Sequence, residues 1–286
     1  MTADTPKPKR IAIQGGYGAF HEIAALNYFE NEEIEIIPRN TFKDLFHALK
    51  QSHADYGITA IENSIAGSIL PNYALLLDSN LSIVGEIFLR IQQNLVALPG
   101  QRLEDIREVH SHPMAIMQCM KFFDEYPHIL LVDGVDTALC AQEIAEKKIA
   151  GRAAISSKKA AGHYNLEVIA EGIETHKMNY TRFLILTSRN GNHQEVTAAN
   201  KSSITFALAH KIGCLSKVLS ILSFYNINLA KIQSMPIIGK DWEYQFFVDL
   251  EIDDYTLYLQ AIEAIRPFTS HLQIFGEYLK GKSVME

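Results

Sequence analysis

Four short polar clusters combine residue types that bind small acids: Gly15-Gly16-Tyr17-Gly18, Glu62-Asn63-Ser64, Ser111-His112 and Asp136-Thr137. Most of them fall just after runs of apolar residues with strand character. In open α/β sheets that position lies beyond the carboxyl ends of the strands, where ligands bind. Helix N-termini there add backbone N–H groups suited to an anion. Taken singly, such residues serve equally well as caps and turns. Taken together they point to a cleft for a small carboxylic acid.

Other chemistries fit these residues less well. Gly16-x-Gly18 follows a strand, as in a dinucleotide site, and Arg39 could meet a 2′-phosphate. However, His21 stands at the third glycine position, and no acidic residue ends the second strand. His110, His112 and Cys119 match no common zinc spacing, so no metal site is assigned. Ser64 lacks the flanking glycines of a nucleophile elbow.

The elements that must position the clusters alternate. Strands are expected at residues 10–13, 33–38 and 56–61, with helices at 19–29 and 41–51. The second helix opens on the capping box Thr41 to Asp44. This βαβαβ opening implies a parallel sheet covered by helices. Residues 81–98 form a long strand-rich stretch. Strands follow at 108–111, 129–132, 153–156, 166–169 and 180–186, with helices at 113–125, 136–147 and 158–164. Pro113 suits a first helical turn. The polar segment 190–200 contains Gly191 and reads as a domain boundary. Beyond it the order is βαββαβ: strand 203–209, helix 213–225, strands 228–238 and 242–252 around a turn at 239–241, helix 256–265 and strand 272–279. That is a ferredoxin-like pattern.

Composition sets the wider frame. The chain has 286 residues, 48% hydrophobic and 21% charged, which suits a globular protein of one large or two smaller domains. A formal charge of −7 gives no general attraction to nucleic acid or to anionic membranes. Cys119, Cys140 and Cys214 are scattered and read as thiols in a reducing compartment. The first ten residues lack the apolar core of a signal peptide, and no apolar run reaches spanning length. A cytoplasmic location is therefore expected.

Six motifs in one order carry a family resemblance. They are the run from Gln14 to Phe20, the run from Ile61 to Ser64, Ser111-His112-Pro113 with Gln118-Cys119, Asp136-Thr137-Ala138, Ala154-Ile155-Ser156 with Ala160-Ala161, and the run from Asn179 to Phe183. In that order they resemble the motifs of prephenate dehydratases, from about residue 10 to residue 280. Departures are Ala19 and His21 where the family usually has threonine and serine.

The resemblance implies a catalytic domain over 10–189, bilobed and similar to periplasmic binding proteins. It implies an ACT regulatory domain over 201–280, which brings an effector site for L-phenylalanine. That site would use Gly213, Cys214, Leu215, Asn228, Leu229, Gln233 and Ser234. There, Cys214 and Met235 replace the usual alanine and arginine, and Gln233 the usual glutamate. The resemblance also implies a homo-oligomer, a dimer or tetramer.

The implied reaction turns prephenate into phenylpyruvate by losing a ring hydroxyl and carbon dioxide. Aromatisation drives it, so no cofactor or metal is expected. The site must hold a dianion and assist a poor leaving group without trapping the carboxylate that departs. Thr181, in the family's Thr-Arg-Phe signature, is the expected catalytic residue, as a hydrogen-bond donor or a proton relay. Substrate contacts are expected from Gly16, Gly18, Ala19, Phe20, Asn63, Ser64, Ser111, Gln118, Thr137, Arg182 and Phe183. On a regular strand Thr181 and Phe183 share one face and Arg182 takes the other, so Arg182 serves either the substrate or a structural ion pair. Arogenate dehydratase, with an amino group in place of the substrate's keto group, is the alternative reading. A non-catalytic receptor for small acids is the third, and an NADP-dependent dehydrogenase the fourth.

Overall fold

The structure is a computed structural model and describes residues 7–188, 199–240 and 242–285. The expected boundary at 190–200 falls mostly outside the described residues, as does Asp241 of the expected turn. In chain order the elements begin β1 (Lys9–Gln14), α1 (Phe20–Tyr28), β2 (Ile34–Arg39), α2 (Phe42–Lys50), β3 (Tyr56–Asn63), β4 (Gly67–Ser68), α3 (Leu70–Leu77) and β5 (Leu81–Arg90). They continue β6 (Asn94–Ala97), β7 (Glu108–Ser111), α4 (Pro113–Phe123), β8 (Leu130–Asp133), α5 (Thr137–Lys147), β9 (Arg152–Ser156), α6 (Lys158–His163), β10 (Glu167–Ala170) and β11 (Tyr180–Ser188). The last are β12 (Lys201–Leu208), α7 (Cys214–Phe224), β13 (Asn228–Pro236), β14 (Tyr244–Glu251), α8 (Tyr255–Ile265), β15 (Ser270–Tyr278) and β16 (Ser283–Val284).

The chain forms two compact units. Of the described residues, one holds 7–79, 87–188 and 282–285; the other holds 80–86, 199–240 and 242–281. The first unit carries two sheets. One has the order β16-β5-β11-β3-β1-β2, with β4 paired to β3; the other has the order β10-β6-β9-β7-β8. The βαβαβ opening gives β1 parallel to both β2 and β3. Both sheets are mixed, because β11 runs antiparallel to β3 and β6 antiparallel to β9. The stretch 81–98, apolar enough to read as continuous, breaks at residues 91–93 so that β5 enters the first sheet and β6 the second. The chain returns through residues 171–179. The two crossovers are tied together by Ile91 N to Asn179 O at 2.7 Å, Ile173 N to Gln93 O at 2.8 Å and Gln93 N to Glu174 Oε2 at 2.9 Å.

Side-chain caps fix the helices that face the interior of this unit. Thr41 Oγ1 accepts from Asp44 N at 3.1 Å, as its capping box predicts. Asp136 Oδ1 accepts from Ala138 N and Leu139 N at 2.9 and 3.0 Å, and Ser157 Oγ from Ala160 N at 2.9 Å. The sequence gives no periodic signal for α3, whose residues are apolar nearly throughout. Buried Asn72 anchors it by donating to Ala60 O at 2.7 Å.

The glycine run after β1 is where the two lobes of this unit meet. Gly18 has φ +83°, and a Cβ there would stand 2.3 Å from the Cα of Ala160 at the start of α6. Ser157 Oγ donates to Gly18 O at 2.6 Å across the same contact. Only a residue without a side chain allows this approach.

The second unit follows β12-α7-β13-β14-α8-β15. Its antiparallel sheet has the order β13-β14-β12-β15, so the observed element order is βαββαβ. Phe206, Leu222, Leu250 and Tyr258 are among the fully buried residues of its core. Lys201 Nζ pairs with Glu86 Oε1 and Oε2 at 2.8 and 2.9 Å, both side chains almost fully buried, and Gly281 N also donates to Glu86 Oε1 at 3.1 Å. Among the described residues no helix is long and apolar enough to cross a membrane.

The Gly18 contact sets a test. Gly18→Ala should lower unfolding free energy by about 2–6 kcal/mol, summing the cost of overpacking and of a left-handed backbone. Urea unfolding of both proteins measures it, and equal midpoints would disprove the close approach.

Candidate active site

A cavity of about 300 Å³ opens between the two sheets of the first unit. Phe20, His21, Phe42, Asn63, Thr181 and Phe183 line it from the first sheet's side, and His112, Met114, Gln118, Asp136 and Thr137 from the other. Ile91 and Gln93 of the first crossover complete the wall. The lining is chiefly apolar with a few convergent polar groups, as small-molecule sites are.

β11 delivers Thr181 and Phe183 to this cavity by strand alternation. Arg182, a residue only 4% exposed, turns to the opposite face, where its guanidinium lies 6.0 Å from the ring centre of Phe88. Thr181 pairs with Asn63 at the end of β3. Asn63 Nδ2 donates to Thr181 Oγ1 at 3.0 Å, lies 2.8 Å from Asn179 Oδ1 and 3.2 Å from Tyr180 O. Its other end, Oδ1, accepts from Ile65 N and Ala66 N at 3.0 and 2.9 Å. Asn179 Nδ2 in turn donates to Gln118 Oε1 at 2.9 Å, and Gln93 Nε2 reaches the same oxygen at 3.3 Å. One polar chain therefore runs from α4 across the crossovers to Thr181.

Comparison with known proteins places this geometry. The family model for prephenate dehydratase matches residues 11–191. The chain belongs to the prephenate dehydratase family. Arogenate dehydratase 1 of Petunia hybrida is 37% identical over 286 residues, covering 94% of this chain and 66% of its own length. The chain thus spans just under two thirds of that relative. Among solved structures, the prephenate dehydratase of Arthrobacter aurescens in complex with L-Phe has a TM-score of 0.84 at 27% identity, covering 95% of this chain and 90% of that one. A protein described as GqqA, a novel type of quorum quenching acylase, has a TM-score of 0.85 at 28% identity, covering 95% and 98%.

The residues expected to form the site divide into three groups. Phe20, Asn63, Gln118, Thr137, Thr181 and Phe183 line the cavity. Gly16, Gly18, Ala19, Ser64, Ser111 and Arg182 do not, and the structure gives most of them work within the protein. Gly18 N donates to Glu22 Oε2 and Ala19 N to Gly16 O. Those N–H groups are therefore not left open for an anion. Ser64 Oγ donates to Met178 O at 3.1 Å and accepts from Tyr180 N at 2.9 Å, which stitches the second crossover to β3. Ser111 Oγ donates to Ile155 O at 2.8 Å inside the second sheet. The third group lies in the second unit. Gly213, Cys214 and Leu215 open α7, with Gly213 at φ +78°. Asn228, Leu229, Gln233 and Ser234 lie on β13, an edge strand of its sheet.

The polar cavity residues outside the expected set are Gln14, His21, Gln93, His112 and Asp136. Asn179 supports the site from full burial. Strand alternation could have signalled Asn179, two positions before Thr181. The polar Gln92-Gln93-Asn94 break in an apolar run could have signalled Gln93.

None of the described lining residues is lysine or arginine. Burial pushes the Asp136 carboxyl up, against the N–H bonds of Leu139, Gly16 and Ala138. His21 is 9% exposed and sits edge-on to Phe183, ring centres 4.9 Å apart. Burial lowers its pKa from 6.5 to about 3, so the imidazole is neutral across the working range.

This carries a stability cost at acid pH. An unfolded histidine takes up a proton below its ordinary value while the folded one does not, so stability is full above that value and falls as pH drops towards 3. Between pH 7 and pH 5 the loss from His21 should be about 2 kcal/mol. His21→Phe should therefore show a correspondingly flatter dependence of urea-unfolding free energy on pH. Parallel curves for the two proteins would refute the buried neutral imidazole.

Proposed function

We propose that the cavity converts prephenate to phenylpyruvate, carbon dioxide and water. One observation carries this reading. Asn63 donates to Thr181 Oγ1 from the protein side, and Thr181 lines a chiefly apolar cavity, so its own hydroxyl hydrogen is free to be donated to a bound group. The prephenate dianion must break a C–C bond to its ring carboxylate and a C–O bond to its ring hydroxyl, with uptake of one proton. The electrons released by carbon dioxide enter the ring and leave with the hydroxyl as water. A donor aimed at that oxygen stabilises charge that develops only as the bond breaks, and such interactions accelerate the step. Phe183 and Phe20 supply flat apolar surface for a ring becoming aromatic. Neutral amides at Asn63 and Gln118 suit a site that holds carboxylates yet releases one.

The relative named an arogenate dehydratase supports a second substrate of the same geometry, in which an ammonium replaces the keto oxygen. Parallel turnover measurements on both acids separate the two. For the C-terminal unit, the βαββαβ order and the likeness to a structure holding L-Phe support an ACT-type sensor of phenylalanine. The edge strand β13 supports pairing with a second copy, because an open edge offers unpaired backbone groups. The chain's own departures at Cys214 and Met235 lie in that sensor.

Thr181→Ala should lower kcat by roughly 10²- to 10³-fold, the usual cost of one transition-state donor. Thr181→Ser should retain more, since it keeps the hydroxyl and loses only stiffness. Near-normal turnover of prephenate by the folded alanine variant would end the catalytic assignment. Titration with L-phenylalanine should raise the melting temperature and reduce turnover, with a coupling of about 5- to 150-fold. No change in either at millimolar effector would remove the sensor reading.

A further inference from the structure

Asn179 is fully buried and lines no part of the cavity. It nevertheless joins two side chains that do, Asn63 and Gln118. The donor and acceptor roles along this chain can be deduced from its backbone partners. The N–H groups of Ile65 and Ala66 only donate, so the Asn63 atom 3.0 and 2.9 Å from them is its carbonyl oxygen. The Tyr180 carbonyl only accepts, so the Asn63 atom 3.2 Å from it is nitrogen. Backbone groups thus fix Asn63 at both ends.

The rest follows by exclusion of like against like. The Asn179 atom 2.8 Å from the Asn63 nitrogen must be oxygen. Its nitrogen then faces Gln118, whose atom at 2.9 Å must be oxygen too. Gln93 Nε2, 3.3 Å from the same oxygen, agrees with that choice. Gln118 Nε2 has no partner among the described residues, and Gln118 lines the cavity.

We infer that Asn179 is a positioning residue: it transmits the polarity set by the Ile65 and Ala66 N–H groups, so that Gln118 presents its NH₂ and not its carbonyl to the substrate. Both ends of the network then offer hydrogens, from Gln118 at one side and Thr181 at the other. A dianion with a departing hydroxyl requires donors at both. Reversing Gln118 would set a carbonyl oxygen against a substrate carboxylate. This inference rests on the proposed reaction for its kinetic consequence but not for its geometry.

Asn179→Asp tests it, because a carboxylate only accepts. Gln118 should turn its NH₂ to the new carboxylate and its oxygen to the cavity. Relative to the unmodified enzyme at the same pH, kcat/KM for prephenate should fall by roughly 10²-fold near pH 8, the cost of one lost donor. Burial raises the introduced carboxyl. As pH falls through its titration the protonated group again donates to Gln118 Oε1, and the deficit should shrink by at least about tenfold. A merely structural role gives a deficit independent of pH and overturns the inference. Repulsion of the dianion by the new charge is separated by repeating the substitution on a Gln118→Leu background. There the pH-dependent deficit should vanish; its persistence overturns the inference.

A substrate-free readout is the side-chain amide signal of Gln118 in protein labelled with ¹⁵N-glutamine, assigned by its loss in Gln118→Leu. It should exchange rapidly with water in the unmodified protein and become protected in Asn179→Asp at pH 8. Protection already present in the unmodified protein overturns the inference. If the unmodified protein turns over neither prephenate nor arogenate, the functional reading fails, and this signal still decides the orientation of Gln118.

Discussion

Asn63 is gripped at both ends by backbone groups whose hydrogen-bonding roles are fixed, and the polar half of the cavity inherits its arrangement from that grip. An unanchored amide could present either end to a ligand at little cost. Here a turn at the end of β3 supplies the two N–H groups, and the neighbouring segment before β11 supplies the carbonyl. The turn, the strand pairing of Asn63 with Thr181 and the second crossover must therefore all be in place before Thr181 has a defined direction. That dependence links fold to chemistry more tightly than any single contact in the cavity wall. It also explains why Ser64 matters without touching the cavity, since it bonds Met178 and Tyr180 and so holds the crossover against β3.

Much of this was legible in the sequence, and the failures have physical causes. Strand and helix periods, capping residues and the βαββαβ order of the second unit were readable because each is local. The alternation of Thr181, Arg182 and Phe183 placed two of the three on one face, and the structure puts Arg182 beside Phe88 on the other. The glycine run was harder. Its residue types suit an anion cradle and a lobe contact equally well, and the difference is whether Glu22, Asp136 and Ala160 arrive to engage it. Nothing in a local window reveals that. Helix α3 escaped because an apolar helix has no polar face to give a period. The break at 91–93 escaped because apolar residues flank it in both sheets.

Buried polar groups show how far each unit satisfies its own interior. In the second unit Ser203 Oγ donates to Asp249 and contacts Tyr278 Oη, while Tyr258 Oη bonds Glu277 and Ser202. Lys201 and Glu86 face each other with Gly281 N as a further donor. Removing one member of such a pair leaves an uncompensated charge, which costs far more than the intact pair contributes. The cavity differs, because unpartnered polar atoms remain there. His21 Nε2 and Gln93 Oε1 have no hydrogen-bond partner among the described residues. Interiors tolerate such atoms at a cost in stability, and they are found where a ligand completes the set.

The absence of lysine and arginine from the described cavity wall has a consequence for how the proposed substrate arrives. The chain carries a formal charge of −7, and the proposed substrate is a dianion, so their net long-range interaction is repulsive. Capture then relies on short-range donors that act only after the acid has entered. Added salt screens the repulsion over about 10 Å at 0.1 M and leaves those donors nearly untouched. Encounter should quicken with ionic strength, the reverse of the behaviour of sites that draw anions in through a field of cations.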